Sequence, residues 1–177
     1  MSVDIPTSHA PDRHAPTEHI PAQPTPVLDG DTLTLDRQVC FALSVANRAV
    51  LSVYRPILEP LGLTHPQYLV MLVLWEQAPL SVKDIGALLQ LDSPTLSPLL
   101  KRLEALALIS RTRSAVDERQ LVVDLTDTGR ALRTRAEAVP EQVVAALGVD
   151  IAELEELHKV LTRVNAAALK AAESHRR

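Results

Sequence analysis

Apolar residues recur every three or four positions along most of this chain, which is the pattern of amphipathic α-helices. One long helix is expected from about residue 36 to Pro56, because prolines are absent between those positions. A second is expected from Pro66 to about Gln77, with Thr64 and Gln67 in capping-box spacing at its start. Its run YLVMLVLW is apolar nearly all round and should be buried on most sides.

The next segment predicts two consecutive helices. Ser81 and Asp84 form a carboxylate variant of the capping box, which should start the first of them. Ser93 is expected to cap the second, with Pro94 at its first helical position and Pro98 tolerated inside it. The second helix should bury the stripe Leu96, Leu99, Leu100, Leu103 and Leu106.

Two short strands, 108–113 and 120–125, should follow, joined by the polar loop SAVDER. Arginines on a hairpin that directly follows two helices indicate a winged helix-turn-helix. Hydroxyls and cations of the second helix mostly avoid its apolar stripe, as in a helix that enters a major groove. The candidate DNA-binding residues are therefore Asp92, Ser93, Thr95, Ser97, Lys101, Arg102 and Arg113, with Arg119 in the loop.

Beyond the hairpin, Thr126 should cap a helix that Pro140 kinks and that ends near Gly148. Asp150 should begin the last helix. Its apolar residues alternate spacings of three and four, which is the seam of a helix that packs on other helices. The seam comprises Leu154, Leu157, Leu161, Val164 and Ala168.

Composition permits one real core, since 46% of the 177 residues are apolar. Aromatic side chains make up only 2%, so base-stacking surfaces for single strands are not expected. The net charge of −4 belongs to the six charged residues before Thr32, and the remainder is neutral, which leaves room for one basic face. No apolar run reaches the ~18 residues of a membrane span, and the N-terminus lacks a signal-peptide core. We therefore expect a cytoplasmic protein without membrane contact.

Residues 1–30 hold six prolines and a repeat of His followed two positions later by Pro. Such a segment cannot propagate a helix and is expected to be a disordered tail. Its histidines lack acidic or thiol partners at ligand spacing, so no metal site is expected.

The segments LDSPTLSPLLKRLEALALISR and DER followed by LTDTG resemble the MarR family of bacterial transcription regulators. QVCFAL, YRPILEPLGLT and PQYLVMLVLWE extend the resemblance, over about residues 36–147, to its organic hydroperoxide-sensing OhrR branch. The resemblance implies a homodimer of interleaved terminal helices that binds a pseudo-palindromic double-stranded operator. It implies that the second helix lies in the major groove, that Arg119 enters the minor groove and that Asp117 braces the wing.

The expected fold class is therefore mainly α with a small β-hairpin wing, a winged helix-turn-helix domain between N- and C-terminal dimerisation helices. Its expected parts are the tail 1–30, an N-terminal dimerisation helix in 31–62, the DNA-binding domain 63–129 and the C-terminal dimerisation helices 130–177.

Cys40 is the only cysteine, and from composition alone a small buried hydrophobe is the ordinary interpretation. The resemblance instead makes it a thiol that senses organic hydroperoxides, with Tyr54 as a hydrogen-bonding partner. These residues are roughly 21 Å apart along one helix, so Tyr54 must come from the other subunit if the two are to touch. Without a second cysteine, a low-molecular-weight thiol must resolve an oxidised Cys40, or its oxidation continues.

Two positions differ from that branch of the family. Ser44 stands where a tyrosine often follows the cysteine by one turn, and His65 stands where the second hydrogen-bonding tyrosine is expected. Histidine can also donate to a thiolate, more strongly when it is protonated. The alternative, that His65 is only an exposed first-turn residue, stays open at this point.

Three other functions compete with a redox-controlled repressor. A MarR-type repressor released by a small phenolic ligand would leave Cys40 incidental. A thiol peroxidase is disfavoured because no Thr or Arg flanks Cys40 in a peroxidase-like pattern and the wing would be unexplained. The third competing function is a helical interaction module without DNA binding. We expect no enzyme activity and no cofactor.

Overall fold

The computed structural model describes residues 34, 35, 38–113 and 120–174. The predicted disordered tail lies outside these residues. The chain is mainly helical with a small antiparallel sheet, as the sequence predicts. Its elements are α1 (Val39–Leu58), a 3-10 turn (Glu59–Leu61), α2 (His65–Gln77), β1 (Leu80–Ser81), α3 (Val82–Leu89), α4 (Ser93–Ala105), β2 (Ile109–Arg113), β3 (Leu121–Leu125), α5 (Asp127–Ala136), α6 (Val139–Leu147) and α7 (Ile151–Ser174).

The helix α1 runs through Pro56 and ends two residues later, so this proline does not terminate it. A left-handed Gly62, with φ of 69°, closes the 3-10 turn that follows. The predicted capping box then starts α2: Thr64 donates its backbone N–H to Gln67 Oε1 at 2.8 Å. His65 thereby becomes the first residue of α2.

The two helices of the helix-turn-helix, α3 and α4, begin at local caps. Ser81 accepts from the Asp84 N–H at 3.1 Å, which confirms the predicted start of α3. The cap of α4 is Asp92 rather than Ser93, because Asp92 Oδ1 accepts from the Thr95 N–H at 3.0 Å. Pro98 lies inside α4 without ending it, as expected.

The sheet has the order β1–β3–β2 and is antiparallel throughout. The sequence predicts its hairpin but not β1, whose two residues pair with Val122 and Val123 of β3. So short a strand carries no alternating pattern of its own, and only the contact with β3 defines it.

The apolar core of the described residues lies between α2, α3, α4, the sheet, the second half of α5 and the first half of α6. The stripe of α4 is buried at Leu96, Leu100 and Leu103 and half-buried at Leu99. Leu106 is 47% exposed, contrary to prediction, because α4 ends at Ala105 and the chain turns away there.

The expected kinked helix after the wing is two helices, α5 and α6. The break falls at Glu137 and Ala138, and Pro140 lies in the first turn of α6, where its missing N–H costs no helical bond. Thr126 caps α5 as predicted, accepting from the Gly129 N–H at 3.0 Å.

The helix α7 has no buried residue, although its apolar seam is intact. Leu157 is 51% exposed and Val164 is 46% exposed. Residues Val39 to Ala49 of α1 are exposed as well.

Within the described ranges, no single helix is both long and apolar enough to cross a membrane. Only α1 with its 3-10 turn, taken together with α2, meets that test, as a pair bent by 66°.

Candidate nucleic-acid interface and thiol site

The exposed face of α4 carries the cations that the sequence singles out. Thr95, Lys101 and Arg102 are exposed, on the side of the helix opposite its buried leucines. Neither cation forms an ion pair with another residue in the part of the chain that the structure describes. Two unpaired cations on one helical face provide charge for phosphate contacts.

Two candidate side chains near the start of α4 form local hydrogen bonds. Asp92 is exposed, and its hydrogen bond with Thr95 lowers the pKa of its carboxyl. Ser97 donates its hydroxyl to the Ser93 carbonyl oxygen at 2.7 Å. Asp92 and Ser97 thus shape the first turn of α4, whereas the Ser93 hydroxyl and Thr95 are on the exposed surface.

A brace between Arg111 and Glu104 joins the wing to α4. Arg111 Nε donates to Glu104 Oε2 at 3.0 Å, and Arg111 Nη2 contacts the same oxygen. This pairing lowers the pKa of Glu104. Arg111 is therefore a structural contact of the hairpin, and sequence reasoning about hairpin arginines does not distinguish it from Arg113, which is exposed at the end of β2.

The base of the wing is also tied to α5. Arg130 Nη2 donates to Asp124 Oδ1 at 3.0 Å and to the Leu125 carbonyl at 3.1 Å. The Thr126 hydroxyl donates to the Ala107 carbonyl at 2.6 Å. The predicted brace Asp117 and the predicted minor-groove residue Arg119 lie outside the described residues.

On the thiol side, Cys40 is the second residue of α1 and is exposed in the single chain. The same helix contains Tyr54, as the sequence predicts. This exposure contradicts a buried structural cysteine within the chain.

Tyr54 and His65 form a ring pair across the turn between α1 and α2. Their ring centroids are 4.7 Å apart at an interplanar angle of 69°, and Tyr68 lies 6.3 Å from Tyr54. Both members of the pair are half-buried. Burial lowers the pKa of His65, and burial together with the nearby Tyr54 raises the pKa of Tyr68. His65 is thus not merely an exposed first-turn residue.

A cleft of about 500 Å³ lies beside this ring pair. Leu51, Leu63 and Pro66 contribute apolar walls, and Arg55 and Glu59 contribute charges of opposite sign. His65 forms part of its lining. The volume is that of a small-molecule site.

Within residues 34, 35, 38–113 and 120–174, no three His, Cys, Asp or Glu side chains are grouped to hold a metal ion.

Taken together, the helix pair, the braced hairpin and the exposed cations of α4 define a winged helix-turn-helix DNA-binding protein. The family model described as transcriptional regulator SarA/Rot matches residues 52–135. The chain belongs to the SarA/Rot/MarR-type family of winged-helix transcription regulators, with OhrR-like relatives.

Its similarity to individual relatives extends over most of the described chain. It is 49% identical over 123 residues to the HTH-type transcriptional regulator TtmR of Methylorubrum extorquens, a match that covers 70% of this chain and 63% of that protein. It is 40% identical to the organic hydroperoxide resistance transcriptional regulator of Bacillus subtilis over 131 residues, 74% of this chain and 89% of that one. These homologues are named as transcriptional regulators, a class of proteins that generally are not enzymes.

Among solved structures, the fold matches reduced AbfR bound to DNA with a TM-score of 0.67 and 36% identity, covering 77% of this chain and 93% of that one. AbfR of Staphylococcus epidermidis is also known in an overoxidized form bound to DNA, which matches with a TM-score of 0.60 and 38% identity over 73% of this chain and 94% of that one. The transcription regulator described here is therefore similar to proteins solved on DNA and in more than one redox state.

Proposed function

We propose that this chain is a homodimeric transcriptional repressor, acting in the cytoplasm, whose operator binding is relieved when an organic hydroperoxide oxidises Cys40. The observation that carries this proposal is the ring pair of Tyr54 and His65. It gathers two hydrogen-bonding side chains, from different helices, at a half-buried position suited to meet a thiol.

The dimer is supported by the exposed apolar surfaces at both ends of the described chain. The seam of α7 and the first half of α1 bury almost nothing within one subunit, and an amphipathic helix needs a partner for its apolar face. Two-fold symmetry would then present two copies of α4 to the halves of a pseudo-palindromic operator.

The contacts with DNA would come from the exposed residues of α4 and from the wing. Thr95, Lys101 and Arg102 on the exposed face of α4 would meet base edges and phosphates in the major groove, with the Ser93 hydroxyl at its start. Arg113 and Arg119 of the wing would reach the adjacent backbone and minor groove. Asp92 and Ser97 would act by holding the first turn of α4, and Asp117 by bracing the wing.

The thiol reaction would be assembled across the dimer. Cys40 and Tyr54 belong to one helix at positions about four turns apart, so the pair facing Cys40 would be Tyr54 and His65 of the other subunit. Donors directed at sulfur stabilise the thiolate, which is the species that attacks a peroxide. Attack forms a sulfur–oxygen bond and breaks the oxygen–oxygen bond, giving a sulfenic acid and an alcohol.

The chain has one cysteine, so no second thiol of the same chain is available to the sulfenic acid. A low-molecular-weight thiol would condense with it to a mixed disulfide and water. The added group, at a packed subunit interface, would alter the spacing of the two α4 helices and thereby reduce their fit to the operator.

A second candidate is a repressor released by a small phenolic ligand. The cleft beside His65, with its apolar walls and the Arg55 guanidinium, favours it. A single experiment separates the two functions: an operator complex is titrated with cumene hydroperoxide and, separately, with salicylate. Release by the hydroperoxide that Cys40→Ser abolishes supports the thiol mechanism, whereas release by salicylate in both proteins supports the ligand mechanism.

A further inference from the structure

We propose that His65 is the proton donor of the thiol reaction and makes the peroxide sensitivity of this regulator depend on pH. The inference rests on the proposed function and concerns the regulation of the same site. It assigns to the imidazole a dependence on pH that a tyrosine at this position could not provide, since a phenol ordinarily ionises only near pH 10.

The geometry places the imidazole next to the phenol that would face the sulfur. The two ring centroids are 4.7 Å apart, so the imidazole packs directly against the phenol from which the sulfur would accept a hydrogen bond. The capping box fixes the start of α2 and therefore the position of the His65 backbone, because Thr64, one residue before His65, bonds Gln67, two residues after it.

The charged groups around His65 leave its protonation responsive to the thiol. From α1, Tyr54 packs against it, and Arg55 and Glu59 line the same cleft with opposite charges. From α2, Tyr68 lies 6.3 Å from Tyr54 between ring centroids, and Arg135 of α5 donates to the Pro60 carbonyl at 2.6 Å. No carboxylate among the described residues forms an ion pair with His65.

Without such a fixed partner, burial disfavours the charged imidazole and lowers the pKa of His65 below its usual 6.5. The ring is then neutral at mildly alkaline pH and becomes protonated as the solution is acidified. A thiolate placed beside it would favour the protonated form.

In the oxidation of Cys40 by a hydroperoxide, His65 would act as the acid. The Cys40 thiolate attacks one peroxide oxygen, the sulfur–oxygen bond forms as the oxygen–oxygen bond breaks, and the electron pair leaves on the second oxygen as an alkoxide. The His65 imidazolium gives its proton to that alkoxide, producing an alcohol and neutral imidazole. Sulfur is oxidised by two electrons and the peroxide is reduced by two.

The test compares the parent, His65→Tyr and the matched control His158→Gln, which removes an exposed histidine of α7. For each protein, the rate of sulfenic acid formation with cumene hydroperoxide is measured between about pH 5.5 and pH 8. Each rate is divided by the thiolate fraction, obtained from the rate of alkylation by iodoacetamide. This ratio removes the titration of Cys40 itself, and a merely structural role of His65 would not alter its pH profile.

We expect the ratio to fall about tenfold as pH rises across this range in the parent and in His158→Gln, and to stay flat in His65→Tyr. An equal fall in His65→Tyr would overturn the inference, because another group would then be the acid. A flat ratio in the parent would overturn it as well. In either case, loss of hydroperoxide response in Cys40→Ser would leave the proposed function standing.

Discussion

The rings of Tyr54 and His65 meet edge to face, 4.7 Å apart, although one residue belongs to α1 and the other opens α2. The two residues are eleven positions apart in the sequence, and this spacing gives no sign of the contact. The 3-10 turn and the left-handed Gly62 bend the chain by 66° between the two helices and bring the rings together.

Tyr54→Phe should slow the oxidation of Cys40 by about tenfold, because one hydrogen bond to a charged sulfur is lost while the ring stays. Tyr68→Phe is the matched control, since it removes the neighbouring hydroxyl. Stopped-flow measurement of thiol consumption by cumene hydroperoxide reads the rate. Equal rates in parent and Tyr54→Phe would show that the hydroxyl does not face the thiol.

Burial of His65 predicts a loss of stability in mild acid. Its pKa is lowered in the folded chain, so the unfolded chain binds the proton more readily, and stability declines as pH falls from the ordinary value of 6.5 through the folded value. The comparison is best made in Cys40→Ser, where no thiolate offsets burial. There, additional replacement of His65 by Gln should reduce the drop in melting temperature between about pH 7 and pH 5. An unchanged drop in melting temperature would contradict a lowered pKa of His65 in the folded chain.

Arg102→Ala should weaken operator binding and reduce the slope of log affinity against log salt by about two, one for each subunit of the dimer. Lys170→Ala near the end of α7 is the control, since it removes an exposed cation outside the proposed DNA surface. Fluorescence anisotropy over a series of salt concentrations measures both quantities. If the affinity and slope of Arg102→Ala match those of the parent, α4 is not in the groove.

Gly129→Ala should destabilise the fold by more than about 2 kcal/mol. A Cβ at this position would overlap the Leu108 carbonyl, where α5 passes the strand that leads into the wing. Thr128→Ala, one position earlier and exposed, should change stability by less than about 0.5 kcal/mol. Urea unfolding of both variants makes the comparison, and a small effect at Gly129 would mean that this packing is loose.

The elements of the fold were largely predictable because their signals are local. Caps at Ser81 and Thr126, the capping box at Thr64 and the period of the apolar residues each depend on a few neighbouring positions. Where local signals compete, the sequence misleads: Asp92 and Ser93 are both good caps, and the bond to Thr95 selects Asp92. Pro140 similarly fits either a kink or a first turn, and the structure has the first turn.

The candidate sites were predictable only in part, since contacts between distant segments leave no periodic trace. The exposed cations of α4 follow from its apolar stripe. The hydrogen bond between Arg111 and Glu104 could not be predicted from any periodic pattern, and neither could the ring contact between Tyr54 and His65. The short strand β1 could not be predicted for the same reason, because only its pairing with β3 defines it.

Cys40→Ser is the variant that bears most directly on the account. Serine nearly preserves volume, so the mutant should fold, dimerise and bind the operator as the parent does, but its hydroxyl cannot form a sulfenic acid. The operator affinity of each protein is measured with and without cumene hydroperoxide plus a low-molecular-weight thiol. We predict that oxidation weakens binding by the parent about a hundredfold and leaves the mutant unchanged. Equal release of both proteins from the operator would contradict the thiol mechanism.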